Sequence, residues 1–121
     1  MMRKLQALLG RPPSLTATEA HQSVEDDRAV LLDVRETNEW RAGHAPQALH
    51  ITLSTLETRL EEIPTGRPIV TVCRSGRRSA AAANVLIRRG YEVANLTGGM
   101  NAWAAAGLPV ITARNKPGQI I

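Results

Sequence analysis

Apolar runs and helix-spaced segments alternate along this chain. Residues 29–34 (AVLLDV) are almost continuously apolar and end in Asp33 and Val34. A run of that kind suits a strand covered on both faces, as in a parallel sheet. Residues 68–72 (PIVTV) form a second such run that leads straight into Cys73, and residues 92–96 (EVANL) form a third. Elsewhere the pattern changes to that of helices. Residues 16–25 (TATEAHQSVE) predict a short helix capped by Thr16 or Thr18, whose hydroxyl accepts from free amides of the first turn. Residues 36–42 (ETNEWRA) predict one or two helical turns stopped by Gly43. Residues 54–62 (STLETRLEE) predict an amphipathic helix with Leu56 and Leu60 on one face, ended by Pro64 and Gly66. Residues 79–89 (SAAAANVLIRR) predict a strong helix closed by Gly90, with Arg88 and Arg89 at its negative end. Residues 99–106 (GMNAWAAA) predict a last short helix before Gly107 and Pro109.

Strands alternating with helices predict a parallel α/β sheet. In such sheets the ligand sits beyond the carboxyl ends of the strands, where Cys73, Asp33 and Thr97-Gly98 all fall. The 121 residues fit a single domain. Arg11-Pro12-Pro13 sets off an N-terminal extension at 1–11 from a domain at 12–112, and residues 113–121 read as a loose tail.

Composition narrows the chemistry. With two Trp, one Tyr and no Phe, the core must be built from Leu, Val, Ile and Ala, and an aromatic platform for single-stranded nucleic acid is not expected. Residues 1–63 hold seven basic and ten acidic side chains, whereas residues 64–121 hold eight basic ones and a single acidic one, Glu92. A cationic half suits nucleic acid, an acidic partner or a small anion. Most of it reads as solubilising surface, but Arg74, Arg77 and Arg78 crowd around the only cysteine. One cysteine forms no internal disulfide, the N-terminal apolar patch is too short for a signal peptide, and no run reaches membrane-spanning length. The expectation is a cytoplasmic protein with no membrane and no nucleic-acid partner.

The informative segment is strand, then Cys73-Arg74-Ser75-Gly76-Arg77-Arg78, then helix. A turn that joins a buried strand to a helix aims backbone amides inward, and the helix start adds free N–H groups and the positive end of its dipole. Together they make an anion nest that stabilises a thiolate. Gly76 relieves strain in the turn, and the guanidinium groups pair with sulfur oxyanions or phosphate. An inert buried cysteine is the alternative. The flanking arginines, which need water, argue against it and place Cys73 at an exposed rim.

Three segments in order resemble the rhodanese family. Leu32-Asp33-Val34-Arg35-Glu36, with Trp40 and Gly43-His44 after it, resembles the family's first motif. Cys73-Arg74-Ser75-Gly76-Arg77-Arg78-Ser79 resembles its C-x-x-G-x-R-S loop, and Leu96-Thr97-Gly98-Gly99-Met100-Asn101-Ala102-Trp103 its closing L-x-G-G-x-x-x-W segment. The likeness spans about residues 12–112. It implies a small parallel sheet of about five strands with helices on both faces. It also implies a sulfurtransferase that takes sulfur from an anionic donor such as thiosulfate onto Cys73 as a persulfide. An acceptor, cyanide in vitro or a thiol or protein in the cell, then removes it, and no cofactor is needed. Arg78 matches the loop arginine and is expected to brace the loop against Asp33 or Glu36. Arg74 steers the donor; for Arg77, steering and plain surface charge stand nearly even. Asp33 and Arg35 are expected to form ion pairs under the rim, and Gly98 and Gly99 to let the last loop approach the Cys73 loop. Trp40 either walls the pocket or packs in the core, Trp103 is core, and His44 caps or braces the turn after Gly43. His21 and His50 are given no role, and three scattered His with one Cys make no metal site. Gln47 and His50 depart from the usual Gly and Asn of the family, which bears on a local turn and one wall of the pocket.

A phosphatase or arsenate reductase is the nearest rival, but C-x5-R chemistry needs Arg at position 79, where this chain has Ser79. A rhodanese-like docking or persulfide-relay module is the alternative from another class. Nucleic-acid binding by the cationic half would show salt-dependent association.

Overall fold

The computed structural model describes residues 11–121; residues 1–10, most of the extension at 1–11, lie outside the described residues. Five strands form one sheet: β1 (Ser14–Leu15), β2 (Val30–Asp33), β3 (Leu49–His50), β4 (Ile69–Val72) and β5 (Val93–Leu96). Their order is β1-β5-β4-β2-β3 and every pairing is parallel. The helices are α1 (Ala17–Glu25), α2 (Thr37–Ala42), α3 (Arg77–Arg88) and α4 (Gly99–Ala105).

All residues of β2 and β4 are buried, and their side chains alternate between two cores. Val30, Leu32, Ile69 and Cys73 face one core with Ala82, Ala83 and Leu86 of α3. Leu31, Val70, Val72 and Leu96 face the other with Ala17 and Ala20 of α1 and Met100 and Trp103 of α4. Helices therefore cover both faces, which is why these strands read as continuous apolar runs rather than alternating ones. The small side chains of α3 let it lie close on the sheet, and each buried Leu or Val contributes about 1.5–3 kcal/mol of transfer free energy. At the start of α1, Thr16 Oγ1 accepts from the Glu19 amide (3.1 Å) while Glu19 Oε1 accepts from the Thr16 amide (2.9 Å), so Thr16 is the cap.

Two segments differ from expectation. Residues 54–62 are not one α-helix but two 3-10 stretches, Leu53–Thr58 and Leu60–Glu62, broken at Arg59. The Thr55 and Thr58 hydroxyls donate to the carbonyls three residues back, at 3.2 and 2.8 Å, and such local bonds compete with a regular helix. Residues 113–121 are not a loose tail. Ile111 pairs antiparallel with both His44 and Pro117, and the Gln119 amide donates to the Ala42 carbonyl (3.0 Å). Ile120 packs against the second core, a contact between residues far apart in the sequence. Among the described residues no helix is long and apolar enough to cross a membrane.

Candidate active site

Cys73 is the first residue after β4, at the carboxyl end of the central strand. Its Sγ accepts from the Gly76 amide (3.1 Å) and from the Ser79 hydroxyl (3.3 Å). The chain turns back on itself between these groups because Gly76 sits at φ 113°, a left-handed conformation that L side chains rarely adopt, and caps α3 there. The helix begins at Arg77, two residues earlier than the sequence pattern suggests, so Arg77 and Arg78 belong to its first turn. Cations at that end oppose the helix dipole.

Burial pushes the Cys73 thiol up. The Ser79 hydroxyl and the amides of Ser79, Gly76 and Ser75 outweigh it, and the net shift is downward. The expected exposed rim needs correction at the cysteine itself, which is 1% exposed. The loop turns Arg74, Ser75 and Arg77 into solvent while the sulfur faces the donors inside. Exposure of the neighbouring arginines thus says nothing about a side chain that points the other way. The side chains of Arg74 and Arg77 engage no partner among the described residues.

Arg78 does brace the loop, but against neither Asp33 nor Glu36. Its Nη1 and Nη2 donate to Oε1 and Oε2 of Glu39 at 2.7 and 2.9 Å. Glu39 Oε1 also accepts from the Glu36 amide (3.0 Å). The Arg78 guanidinium chiefly holds the Glu39 carboxyl below the usual range, and Glu39 in turn raises Arg78. Asp33 is unavailable because Arg35 occupies both its oxygens, with Nε at 3.0 Å from Oδ1 and Nη2 at 2.7 Å from Oδ2. Both side chains of this pair are fully buried, and Arg35 Nη2 also donates to the Gly43 carbonyl (2.7 Å). Glu36 is exposed at the start of α2, one turn before Glu39. Glu36, the cap, and Glu39, in the first turn, stand three residues apart, and spacing alone does not tell which of them meets Arg78.

Trp40, half-buried, stacks on His44 (centroids 3.5 Å apart) and on His50 (4.8 Å). His44 Nδ1–H donates to the Trp40 carbonyl (2.6 Å), bracing the end of α2, and His50 Nε2–H donates to the Arg35 carbonyl (2.7 Å). His50, given no role from sequence, thus ties the Trp40 stack to the strand end that carries Arg35. Trp103 is in the second core.

The segment at Gly98 and Gly99 comes up against the Cys73 loop. A Cβ on Gly99 would strike the Cys73 and Arg74 carbonyls, and the Met100 and Asn101 amides donate to those carbonyls at 2.8 and 3.0 Å. Two strand residues, Thr71 of β4 and Asn95 of β5, also touch the loop. Asn95 Nδ2 donates to the Gly76 carbonyl and Thr71 Oγ1 to the Ser79 carbonyl, both at 2.9 Å. Among the described residues no group of three or more His, Cys, Asp or Glu could hold a metal ion.

Comparison with known proteins agrees with this geometry. A family model for the rhodanese-like domain matches residues 16–106. A rhodanese-related protein of Thermoplasma volcanium is 27% identical with a TM-score of 0.76, over 82% of this chain and 97% of that one. The reduced CoADR-RHD protein of Bacillus anthracis is 35% identical with a TM-score of 0.72 over 76% of this chain, which spans only 16% of that protein. A thiosulfate sulfurtransferase of Pseudomonas aeruginosa is 25% identical with a TM-score of 0.77 over 98% of this chain and 23% of that one.

Proposed function

Since the chain belongs to the rhodanese-like domain family, we propose that it is a sulfurtransferase in which Cys73 accepts sulfur from a small anionic donor, thiosulfate being the best candidate. The observation that carries this reading is the Cys73 sulfur held by the Gly76 amide and the Ser79 hydroxyl, in a loop whose exposed Arg74 and Arg77 have no side-chain partner among the described residues. Donors aimed at a sulfur favour its anionic form, whether thiolate or persulfide. In the first step the Cys73 thiolate attacks the outer sulfur of thiosulfate. A Cys73 S–S bond forms, the S–S bond of thiosulfate breaks, and sulfite leaves with the electron pair. In the second step an acceptor nucleophile attacks the outer sulfur of the persulfide and the Cys73 thiolate returns. Cyanide becomes thiocyanate; a thiolate becomes a persulfide. No proton is gained or lost over either step, which suits a loop built of hydrogen-bond donors.

Because Cys73 is 1% exposed, a donor reaches it by entering the loop, where Arg74 and Arg77 attract a dianion over a neutral molecule. Arg78 with Glu39 braces the loop against α2, and Asp33 with Arg35 fixes the end of β2 beside β4. A single nucleophilic cysteine is best kept in a reducing compartment, and the cytoplasm suits it.

The test is intact mass of wild type and Cys73→Ser after incubation with thiosulfate, coupled to thiocyanate formation from cyanide. Gain of one sulfur by wild type alone, with turnover, is the expected result. No sulfur uptake from thiosulfate or from a persulfide donor would overturn the reading in favour of a docking module.

A further inference from the structure

Gly76 and Ser79, whose amide and hydroxyl donate to the Cys73 sulfur, are each held through their carbonyl by a strand side chain. Thr71 and Asn95 stand directly opposite each other in the β4–β5 ladder. The Thr71 hydroxyl has one proton, and it goes to the Ser79 carbonyl at 2.9 Å; its 3.4 Å approach to Asn95 Oδ1 is a contact of the pair. Asn95 Nδ2 donates to the Gly76 carbonyl at 2.9 Å, where the Ala80 amide also donates at 3.1 Å. Because a carbonyl only accepts, the Asn95 amide must present its nitrogen there. Thr71 is fully buried and Asn95 half-buried, so neither bond is freely exchanged for water.

We propose that the Thr71–Asn95 cross-strand pair is a positioning device that aims the Gly76 amide and the Ser79 hydroxyl at the Cys73 sulfur. Each leg fixes the residue that supplies one donor. Gly76 needs this most, since a glycine has the freest backbone in the loop and its left-handed conformation must be kept. Placing the two legs on neighbouring strands makes the rigid sheet the reference against which the loop is set. Hydrogen bonds to an anion weaken as donors swing away, so a loosened loop holds a less acidic thiol. The inference rests on the reading of Cys73 as the sulfur carrier for its purpose, but not for its test.

The experiment is the pH dependence of Cys73 alkylation by iodoacetamide in full-length Thr71→Val, Thr71→Ser and Asn95→Leu, with a thermal melt of each. Valine and leucine keep the volume and remove the donor; serine keeps the hydroxyl. The expected result is a higher midpoint in the valine and leucine variants. Below the wild-type midpoint their alkylation is slower by roughly threefold or more, and at high pH the rate is within about twofold of wild type. Thr71→Ser restores the wild-type midpoint. A merely structural role would lower the melting temperature and leave the midpoint where it was. Should Asn95→Leu fail to fold, Asn95→Ser, too short to reach the Gly76 carbonyl, takes its place with the same expectation. A folded variant lacking either donor that titrates at the wild-type midpoint overturns the proposal. Alkylation needs no sulfur donor, so its outcome is separate from that of the sulfur-uptake test.

Discussion

β4 ends in two very different places. Beyond its carboxyl end lies the Cys73 loop. At its amino end, a cavity of about 410 Å³ is lined by residues that include Arg67, Pro68, Arg89 and Tyr91. Both ends are rich in arginine, but at the cavity the charges are already answered. Arg67 pairs with Asp27, and Arg89 with Glu57 at 2.8 Å. At the Cys73 loop, among the described residues, Arg78 has a carboxylate partner while Arg74 and Arg77 have none, and the Gly76 amide and Ser79 hydroxyl aim at a sulfur. An open hollow is thus no guide to chemistry here. What distinguishes the reactive end is cationic and donor capacity left open next to a nucleophile.

The hardest test of that contrast is the nucleophile itself. Cys73→Ser should abolish sulfur uptake and thiocyanate formation, as read by intact mass and turnover, with the melt close to that of wild type. A smaller loss is expected when the brace behind the loop is weakened. Glu39→Gln should lower kcat/KM by about tenfold and stability by about 1–2 kcal/mol in urea titrations, from the loss of a charge-assisted bidentate pair. Its pH signature has a definite sign. The Glu39 carboxyl is held low by Arg78 in the folded protein, so its contribution is fully present above the unfolded carboxylate pKa and is lost as pH falls through the folded value. Wild type should therefore lose more stability than Glu39→Gln on acidification below about pH 4.

Ser79→Ala should raise the midpoint of Cys73 alkylation and slow it below that midpoint by roughly three- to tenfold, because the largest of the influences that lower the thiol is the Ser79 hydroxyl. Smaller still are the free arginines. Arg74→Ala and Arg77→Ala should raise KM for thiosulfate by about threefold each with kcat little changed, and added salt should shrink the difference. At the other end of β4, Arg67→Ala and Arg89→Ala should leave thiosulfate kinetics as they are and cost less than about 1 kcal/mol of stability. An effect of Arg89→Ala on KM equal to that of Arg77→Ala would erase the contrast between the two ends.

The central architecture is legible in the residues alone, because AVLLDV and PIVTV are apolar at nearly every position, on both faces of a strand, and a sheet covered on both sides accommodates that. The sequence also pointed to the Cys73 loop as the candidate site, since a cysteine between a buried strand and an arginine-flanked helix start stands where amides and cations gather. The edge strands β1 and β3 were not legible: two residues each, they exist only because a neighbouring strand supplies the ladder. Residues 54–62 carry a helical pattern, and local hydroxyl bonds turned it into 3-10 stretches. Tertiary structure alone decided that Glu39, not Asp33 or Glu36, meets Arg78, that the chain's last residues fold back on Ala42, and that Cys73 faces inward. It also decided that Thr71 and Asn95, apparently ordinary strand residues, lie beneath the loop. Periodicity records which face of its own element a side chain occupies. Which distant group that face meets depends on strand order and register, and those are properties of the assembled sheet.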